Sequence, residues 1–227
     1  MAKKIRVGVL FGGKSAEHEV SLQSAKNIVE AIDQEKYEVV LIGIDKQGQW
    51  FLNDASKLLP GANSGTLPSV TGGEATVTLI PESKGGQLVR TSDQEALAPV
   101  DVIFPILHGP MGEDGTVQGL LKLADVPFVG AGVLGSAVGM DKDVMKRLLR
   151  DARIPMSKFL VVEQFDSSDL KFESVRDELG LPFFVKPANL GSSVGISRVN
   201  QKSEFDDAVN DAFRYDRKIL IEEFGGS

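Results

Sequence analysis

The sequence predicts an α/β protein, in which an open and mostly parallel N-terminal sheet domain is followed by a smaller α+β unit. A β-α-β pattern opens the chain, with apolar strands at residues 5–11 and 37–45 around an amphipathic helix at 20–32. A helical crossover makes two such strands parallel. A buried-strand pattern returns at residues 100–107 and leads into a second helix. The rest of the chain alternates short strands and helices around a glycine-rich loop, which is typical of a separate α+β unit.

The remaining elements are predicted in chain order from the same periodicities. Residues 46–95 are rich in Gly, Ser, Pro and Thr, and we interpret them as hairpins and loops. The domain boundary is placed at the start of a long helix, which gives domains 1–135 and 136–227. The predicted elements are strands at 49–52, 75–80 and 87–90, a helix at 115–124, a strand at 127–129, a helix at 136–153, a strand at 158–163, a helix at 170–179, strands at 182–186 and 196–199, a helix at 203–215 and a strand at 218–224.

Composition narrows the class of protein. A net charge of −7 with no basic block argues against nucleic acid or an anionic membrane surface as the main partner. No apolar run is long enough to span a bilayer, and no signal-peptide pattern follows Met1. The absence of cysteine excludes disulfides, thiolate metal sites and a cysteine nucleophile, and we expect a cytoplasmic protein.

Residues 186–195 read Lys-Pro-Ala-Asn-Leu-Gly-Ser-Ser-Val-Gly and are called the glycine loop below. An apolar strand delivers Lys186 into this segment, where glycines allow close backbone approach and serines add hydroxyl donors. The lysine precedes the glycines, so the pattern is not a Walker A loop. The loop joins strand to strand and favours a flap over the phosphates of a nucleotide, although a surface hairpin would show the same composition.

Two further polar segments follow buried strands of the first domain. Residues 11–21 contain two glycines, Glu17 and a histidine, and residues 108–115 contain His108, three glycines and Glu113. Ligands bind at the carboxyl ends of strands in open α/β sheets. Helix capping by Ser15 and by Asp114 would explain the same residues. A nicotinamide cofactor is excluded by the lack of Gly-x-Gly-x-x-Gly, and two histidines without recognisable spacing make a metal site less favoured.

The second half has two more charged segments. Lys142 lies between two aspartates, which is typical of a solvated salt-bridge face. Residues 219–224 form an apolar strand that ends in Glu222, Glu223 and Phe224. That strand is interpreted either as an edge strand that leaves the core or as one wall of an adenine pocket.

These segments match one family in order and spacing: Phe11-Gly-Gly-Lys-Ser-Ala-Glu-His-Glu-Val-Ser21, His108-Gly-x-x-Gly-Glu-Asp-Gly115, Met140-Asp-Lys142 and the glycine loop. The chain resembles the D-alanine-D-alanine ligases of the ATP-grasp superfamily along its length, and the motifs are specific. The family continues with a mobile loop and with the acidic and asparagine residues that hold two Mg²⁺, for which this sequence has no counterpart. We therefore expect the chain to be the front part of such an enzyme, without the C-terminal ATP-grasp subdomain.

The resemblance implies ATP-driven joining of two D-alanines through an acyl phosphate, for peptidoglycan precursor synthesis in the cytoplasm. It implies ATP and Mg²⁺ or Mn²⁺ as cofactors, with no metal ligand in this chain, and a homodimer. The catalytic residues would be Glu17, which would pair with the ammonium of the first D-alanine, and Ser192, which would hydrogen-bond to Glu17. The substrate-binding residues would be Glu17, His108 and Glu113, of which the last two would order Glu17. The ATP-binding residues would be Lys142, Phe184, Val185, Lys186, Gly191, Ser192, Ser193, Val194, Gly195, Glu222, Glu223 and Phe224.

Two alternatives stay open at this point. A related ligase of the D-alanine-D-lactate type would share the nucleotide half and would differ in the missing region. A nucleotide- or amino-acid-binding fragment without turnover would retain the same loops.

Overall fold

A computed structural model describes residues 3–53, 70, 75–81 and 87–225 of the chain. Parts of the stretch predicted as hairpins and loops, residues 54–69, 71–74 and 82–86, lie outside the described residues, as do residues 226–227. The contacts divide the chain into two compact units, Met1–Ser136 and Ala137–Ser227. The assignment of a substrate role to the first domain and a nucleotide role to the second stays a prediction.

The first unit is built on a six-stranded sheet in the order β5-β4-β3-β2-β1-β6. The β1 strand pairs in parallel with β2 and β6, whereas the pairs from β2 to β5 are antiparallel. The α/β class is confirmed. The sheet is mixed, and not mostly parallel, because the hairpin segments continue the sheet beyond β2. Its strands are β1 (Ile5–Gly12), β2 (Tyr37–Ile44), β3 (Trp50–Asn53), β4 (Ala75–Ile80), β5 (Gln87–Arg90) and β6 (Val102–Leu107).

The side chains of β1 alternate between the two faces of this sheet and pack into a core cluster on each face. Leu10 packs into one core cluster, while Val9 and Phe11 pack into the cluster on the opposite face. Successive strand residues point to opposite faces, so a continuous apolar run fits a strand that is covered on both sides. Helix α1 (His18–Ala31) contributes to the cluster of Val9, and helix α2 (Thr116–Leu123) contributes to that of Leu10.

Two predicted elements differ from the structure around the unit boundary. The single helix predicted at 136–153 is two helices, α3 (Val133–Met140) and α4 (Lys142–Asp151), because Asp141 is an N-cap. Its side chain accepts hydrogen bonds from the backbone N–H groups of residues 143 and 144, at 3.0 and 3.1 Å, which starts a new helix. The strand predicted at 127–129 is reduced to an isolated bridge between Ile103 and Phe128.

The second unit is a four-stranded antiparallel sheet in the order β7-β10-β8-β9. The β10 strand lies between two neighbours, so the edge-strand interpretation of residues 219–224 is wrong. Two short 3-10 helices, Gln164–Asp169 and Lys202–Glu204, complete the unit. Its other elements are β7 (Phe159–Glu163), α5 (Phe172–Leu179), β8 (Phe183–Pro187), β9 (Ser197–Val199), α6 (Phe205–Phe213) and β10 (Lys218–Glu223).

Three phenylalanines form the centre of the second core. The ring of Phe172 lies 5.7 Å from that of Phe205 and 6.1 Å from that of Phe183, and Phe183 meets Phe205 edge to face at 5.9 Å. Such pairs add to the energy of apolar burial. They join α5 and α6 to the sheet at β8. Within the described ranges, no helix has the length and apolar character that crossing a membrane would require.

Replacement of Phe183 by alanine tests this core. The side chain is fully buried, so Phe183→Ala should lower the free energy of unfolding by about 3 to 5 kcal/mol, as for other buried phenylalanines. Urea unfolding followed by circular dichroism measures the change. Phe165→Ala, at a side chain that is 80% exposed, is the matched control and should leave stability nearly unchanged. Equal effects of the two substitutions would contradict this account of the core.

Candidate functional site

The first candidate site lies at one edge of the first sheet. The parallel strands β1 and β6 are in register where they end, with Gly12 opposite Leu107. The segments that follow β1 and β6 in the chain therefore start side by side, at the edge where ligands bind in open α/β sheets. Buried Ser21 on α1 ties both strands together, since its hydroxyl accepts from the Gly12 N–H at 2.8 Å and donates to the carbonyl of Ile106.

Ser15 joins the two polar segments and does not cap a helix. Its hydroxyl donates to the carbonyl of His108 at 2.6 Å and accepts from the N–H of Glu17 at 3.0 Å. Helix α1 begins at His18, and the Ser15 capping interpretation is therefore wrong. The interpretation of Asp114 is correct only in part, because the N-cap position of α2 is Gly115, while the Asp114 carboxylate accepts from the N–H of Thr116, the first residue of α2, at 2.9 Å.

Gly109 is the point where the two predicted carboxylates approach one another. A Cβ at Gly109 would lie 2.5 Å from Oε2 of Glu17, and its φ of +73° is in the left-handed region that favours glycine. The N–H of Gly109 donates to Oε2 of Glu113 at 2.7 Å. Nε2 of His108 lies 3.0 Å from the hydroxyl of Ser24. The structure thus brings Glu17, His108 and Glu113 together around one glycine.

His18 is a buried polar residue that sequence reasoning missed. It is 5% exposed, and its Nδ1 lies 2.7 Å from the carbonyl oxygen of Gly13. A carbonyl only accepts, so Nδ1 carries the proton. The hydrogen bond fixes the turn after β1 from inside the protein. The sequence did not indicate that this imidazole is buried, because the same segment also contains three charged residues.

A cavity of about 170 Å³ lies beside these segments. Its walls are mostly apolar and include Trp50, Leu107 and Met111, while Ser15 and His108 supply polar edges. Glu17 and Glu113 are not among its lining residues. This cavity is therefore lined in part by the same two segments that carry the predicted substrate residues.

The second candidate site is the glycine loop, which begins in the last two residues of β8. Lys142, at the start of α4, is directed at it and not at the flanking aspartates. Its ammonium donates to the carbonyls of Pro187 at 3.2 Å, Ala188 at 3.3 Å and Leu190. The solvated salt-bridge interpretation of Lys142 is thus wrong.

Lys186 and Lys146 share one carboxylate. The two oxygens of Glu222 accept from Lys186 and Lys146, respectively. Lys146 is 7% exposed, its ammonium lies 5.0 Å from the ring centre of Phe159, and its partners place it in the interior of the unit. Sequence reasoning missed Lys146, although it is four residues after Lys142 on the same helix and so shares its face.

The arrangement shifts two pKa values. Burial, followed by the nearby charge of Lys186, lowers the pKa of the Lys142 ammonium in spite of three nearby carboxylates. Burial would raise the pKa of the Glu222 carboxyl, but the hydrogen bonds and charges of Lys146 and Lys186 outweigh it and leave this pKa below its usual value. Two ammonium groups therefore lie at the base of the glycine loop, that of Lys142 on loop carbonyls and that of Lys186 on Glu222.

The tip of the glycine loop has an unusual backbone. Ser192 and Ser193 have φ values of 49° and 61°, and Gly195 has 67°. Non-glycine residues rarely adopt this region, and such strain is concentrated at ligand-binding segments. Gly191, Ser192 and Ser193 are exposed, whereas Val194 is half-buried. The predicted phosphate-binding residues are thus accessible and lie on one short segment.

The end of β10 forms an aromatic surface. Phe224 is 48% exposed, and its ring lies 6.0 Å from that of Phe184 and 5.2 Å from the guanidinium of Arg198. Oε1 of Glu223 accepts from the N–H of Lys158 at 2.7 Å. Val185 is fully buried in the core and is not exposed, although it is one of the predicted ATP-binding residues. Arg198 was not predicted, because an isolated arginine on a short strand gives no signal.

The described residues contain no group of three or more His, Asp or Glu side chains that could hold a metal ion. Glu17 and Ser192, which the resemblance pairs, belong to different units.

Comparison with known proteins adds to this geometry. A family model described as the D-ala D-ala ligase N-terminus matches residues 6–131, and one described as the D-ala D-ala ligase C-terminus matches residues 148–226. The chain belongs to the D-alanine-D-alanine ligase family. The first match contains Glu17, His108 and Glu113, and the second contains the glycine loop and β10.

Individual family members agree with this assignment. A D-alanine-D-alanine ligase of Shouchella clausii is 54% identical over 222 residues, which are 98% of this chain and 60% of the relative. D-alanine-D-alanine ligase A of Escherichia coli K12 is 50% identical over 221 residues, 97% of this chain and 61% of the relative. The chain thus spans about three fifths of the length of these curated relatives.

Solved structures of the family show the same fold. The D-alanine-D-alanine ligase of Coxiella burnetii matches with a TM-score of 0.84 and 36% identity, over 97% of this chain and 64% of that one. The VanG D-Ala:D-Ser ligase of Enterococcus faecalis matches with a TM-score of 0.83 and 34% identity, over 99% of this chain and 64% of that one. The ATP-grasp fold expected from the sequence is confirmed.

The shared carboxylate predicts a pH-dependent stability. A carboxyl whose pKa is lowered by folding contributes stability above its unfolded pKa, and this contribution is lost as the pH falls through the folded pKa. Glu222→Gln should lower the free energy of unfolding at neutral pH by about 2 kcal/mol, the scale of hydrogen bonds to charged groups. The difference from the wild type should disappear in acid, where the wild-type carboxyl is protonated.

Urea unfolding at neutral and at acidic pH measures both values. Glu173→Gln is the matched control, because Glu173 pairs with Lys202 on the exposed surface, where an ion pair contributes at most about 1 kcal/mol. A deficit of Glu222→Gln that is the same at both pH values would show that the charge of Glu222 is not responsible.

Proposed function

We propose that the second unit binds ATP through the glycine loop, that the first unit binds D-alanine, and that the protein joins two D-alanines in an ATP-dependent reaction. The observation that carries this proposal is the convergence of Lys142 and Lys186 at the base of the glycine loop. Family membership makes the ligation of D-alanine the reaction that best fits both units.

The charge arrangement in the second unit suits a triphosphate. The ammonium of Lys142 donates to the carbonyl of Pro187, the residue after Lys186, and the charge of Lys186 contributes to the lowered pKa of Lys142, so an added anion would relieve this repulsion. The carboxylate of Glu222 neutralises only part of this charge, because it also pairs with Lys146. Phosphate oxygens would then replace weaker hydrogen-bond acceptors of Lys142 and Lys186. Charge-assisted hydrogen bonds between ammonium and phosphate stabilise phosphoryl transfer.

The adenine would lie against the aromatic surface at the end of β10. Phe184 and Phe224 offer ring faces, and Arg198 keeps the Phe224 ring in place. Glu222 and Glu223 follow each other on the same strand, where the N–H groups of Glu223 and Phe224 donate to the carbonyls of Lys158 and Pro182. Apolar walls with a few polar groups are the usual composition of a nucleotide pocket.

The first D-alanine would bind at the edge of the first sheet. Glu17 is the proposed partner of its ammonium group, and Glu113 holds Gly109 against Glu17. His108 is fixed through its carbonyl by Ser15 and lies beside Ser24 through its ring. His108 and Glu113 therefore act by keeping the segment around Glu17 in place.

The proposed reaction has two steps. The carboxylate of the first D-alanine attacks the γ-phosphorus of ATP, the bond to the bridging oxygen breaks, and an acyl phosphate and ADP form. The amine of the second D-alanine attacks the acyl carbon, loses a proton and expels inorganic phosphate to give the dipeptide. The family uses a divalent cation, Mg²⁺ or Mn²⁺, but the described residues contain no carboxylate group that fits one, so no step here is assigned to a metal.

A related ligase with a different second substrate is the alternative that one observation favours. The similarity to a D-Ala:D-Ser ligase is as strong in fold as the similarity to a D-alanine-D-alanine ligase.

An assay of phosphate release from ATP tests the proposal. It uses the protein in the form that its own cell produces, with D-alanine alone or with added D-serine or D-lactate. Stimulation by L-alanine equal to that by D-alanine, or by neither, would refute it. A homodimer and a role in peptidoglycan precursor synthesis belong to the same proposal.

The two lysines should each be required for nucleotide binding. Lys142→Met and Lys186→Met remove a charged hydrogen bond to phosphate and should each weaken ATP binding by roughly 1.5 to 3 kcal/mol. Calorimetry with the 227-residue chain measures the affinity. Lys202→Met removes a surface lysine of the same unit and should bind ATP like the wild type. ATP affinity that is unchanged in both site variants would remove these lysines from the proposed site.

Glu17 should be required for D-alanine but not for ATP. Glu17→Gln keeps the shape of the side chain and removes its charge, so D-alanine should bind more weakly by about 1.5 to 3 kcal/mol. Glu19→Gln is the matched control, because Glu19, in the first turn of α1, pairs with Lys46 on the surface. Calorimetry with each ligand separates the two units. A loss of ATP affinity in Glu17→Gln, or no loss of D-alanine affinity, would contradict the assignment.

A further inference from the structure

We infer that Tyr215 and Asp216, in the turn between α6 and β10, are positioning residues that hold both ends of the glycine loop in the shape that receives phosphates. Neither residue belongs to the segments that sequence reasoning selected. The inference rests on the proposed ATP binding and names the part of the protein that prepares the loop for it.

Asp216 fixes the first end of the loop. Its Oδ2 accepts from the backbone N–H and from the side-chain amide of Asn189, each at 2.8 Å, and its Oδ1 accepts from the N–H of Lys218 at 3.2 Å. Three donors thus converge on one carboxylate, which joins Asn189 to the first residue of β10. Charge-assisted hydrogen bonds of this kind are about twice as strong as neutral ones.

Tyr215 fixes the other end of the loop. A Cβ at Gly195 would lie 2.6 Å from Cδ2 of the Tyr215 ring and 2.9 Å from Cγ of Pro187. The backbone of Gly195 therefore passes between these two rings without space for a side chain. The φ of Gly195 is +67°, so both its conformation and its surroundings require glycine.

Other contacts hold the segment between these two ends. Lys142 holds the carbonyl of Leu190, and a turn hydrogen bond joins the N–H of Val194 to the carbonyl of Gly191 at 3.2 Å. Gly191, Ser192 and Ser193 are exposed. A loop that is fixed at both ends presents its N–H groups in one arrangement, so less order has to be created when phosphate binds.

Asp216→Asn tests the first contact. The amide retains one acceptor but turns an N–H₂ group towards a backbone donor, either that of Asn189 or that of Lys218. In the 227-residue chain we expect ATP to bind about tenfold more weakly or worse, while adenosine, which lacks phosphates, should bind within about twofold of the wild type. A general loss of structure would weaken both ligands. Asp211→Asn is the matched control, since Asp211 pairs with Arg214 near the same end of α6.

Tyr215 offers a conservative pair of variants. Tyr215→Phe keeps the ring against Gly195 and should bind ATP like the wild type. Tyr215→Ala removes the ring and should weaken ATP but not adenosine. Equal binding of ATP by Tyr215→Ala and the wild type, or equal losses of ATP and adenosine in either disruptive variant, would overturn the inference.

Hydrogen exchange in the absence of nucleotide separates this inference from the proposed function. Exchange of the amides of residues 189–195 should be faster in Asp216→Asn than in the wild type, with the rest of the second unit unchanged apart from the amide of Lys218, which also donates to Asp216. Unchanged exchange in the loop would overturn the positioning role, whatever the affinity for ATP. A wild-type chain that does not bind ATP would refute the proposed function, and with it the phosphate role of the loop, even if the exchange result shows that Asp216 holds the loop.

Discussion

The balance of charge at the base of the glycine loop is the constraint on which the second unit depends. Lys142, Lys186 and Lys146 are all at least half-buried, and the carboxylate of Glu222 connects two of them. An ammonium group in such a place requires partners, because desolvation of an unpaired charge is costly. Lys142 uses backbone carbonyls of the loop, so the same group that would meet a phosphate also shapes the segment beside it.

The pairing of Glu222 with two lysines depends on the interior position of β10 in the sheet. Glu222 reaches Lys186 because β10 pairs directly with β8, and it reaches Lys146 on α4 from the same position. The opposite end of β10 begins at Lys218, whose ammonium pairs with Asp141, the N-cap of α4. The strand thus connects the start of α4 and the glycine loop through charged groups at both of its ends. A break in the predicted long helix at Asp141 is part of the same arrangement.

The sequence was sufficient to predict those elements that are determined by a local pattern of residues. The buried run of β1, the amphipathic α1 and the strand before the glycine loop were predicted within a few residues, and the family motifs selected Glu17, Lys142 and Lys186. What the sequence did not reveal depends on distant contacts. The N-cap of Asp141 interrupts a continuous helical pattern, the hairpins join the first sheet through pairing alone, and Lys146 and Asp216 gain their roles from partners 76 and 27 residues away.

The position of Trp50 has a practical consequence for work on this protein. It is the only tryptophan in the sequence, it lines the cavity of the first unit, and the second unit has none. Fluorescence excited selectively through tryptophan therefore comes from one half of the molecule, at its concave surface. Tyrosine gives no such selectivity, because Tyr37 lies in the first unit and Tyr215 in the second. Trp50 is thus a natural optical reporter next to the surface where D-alanine is proposed to bind.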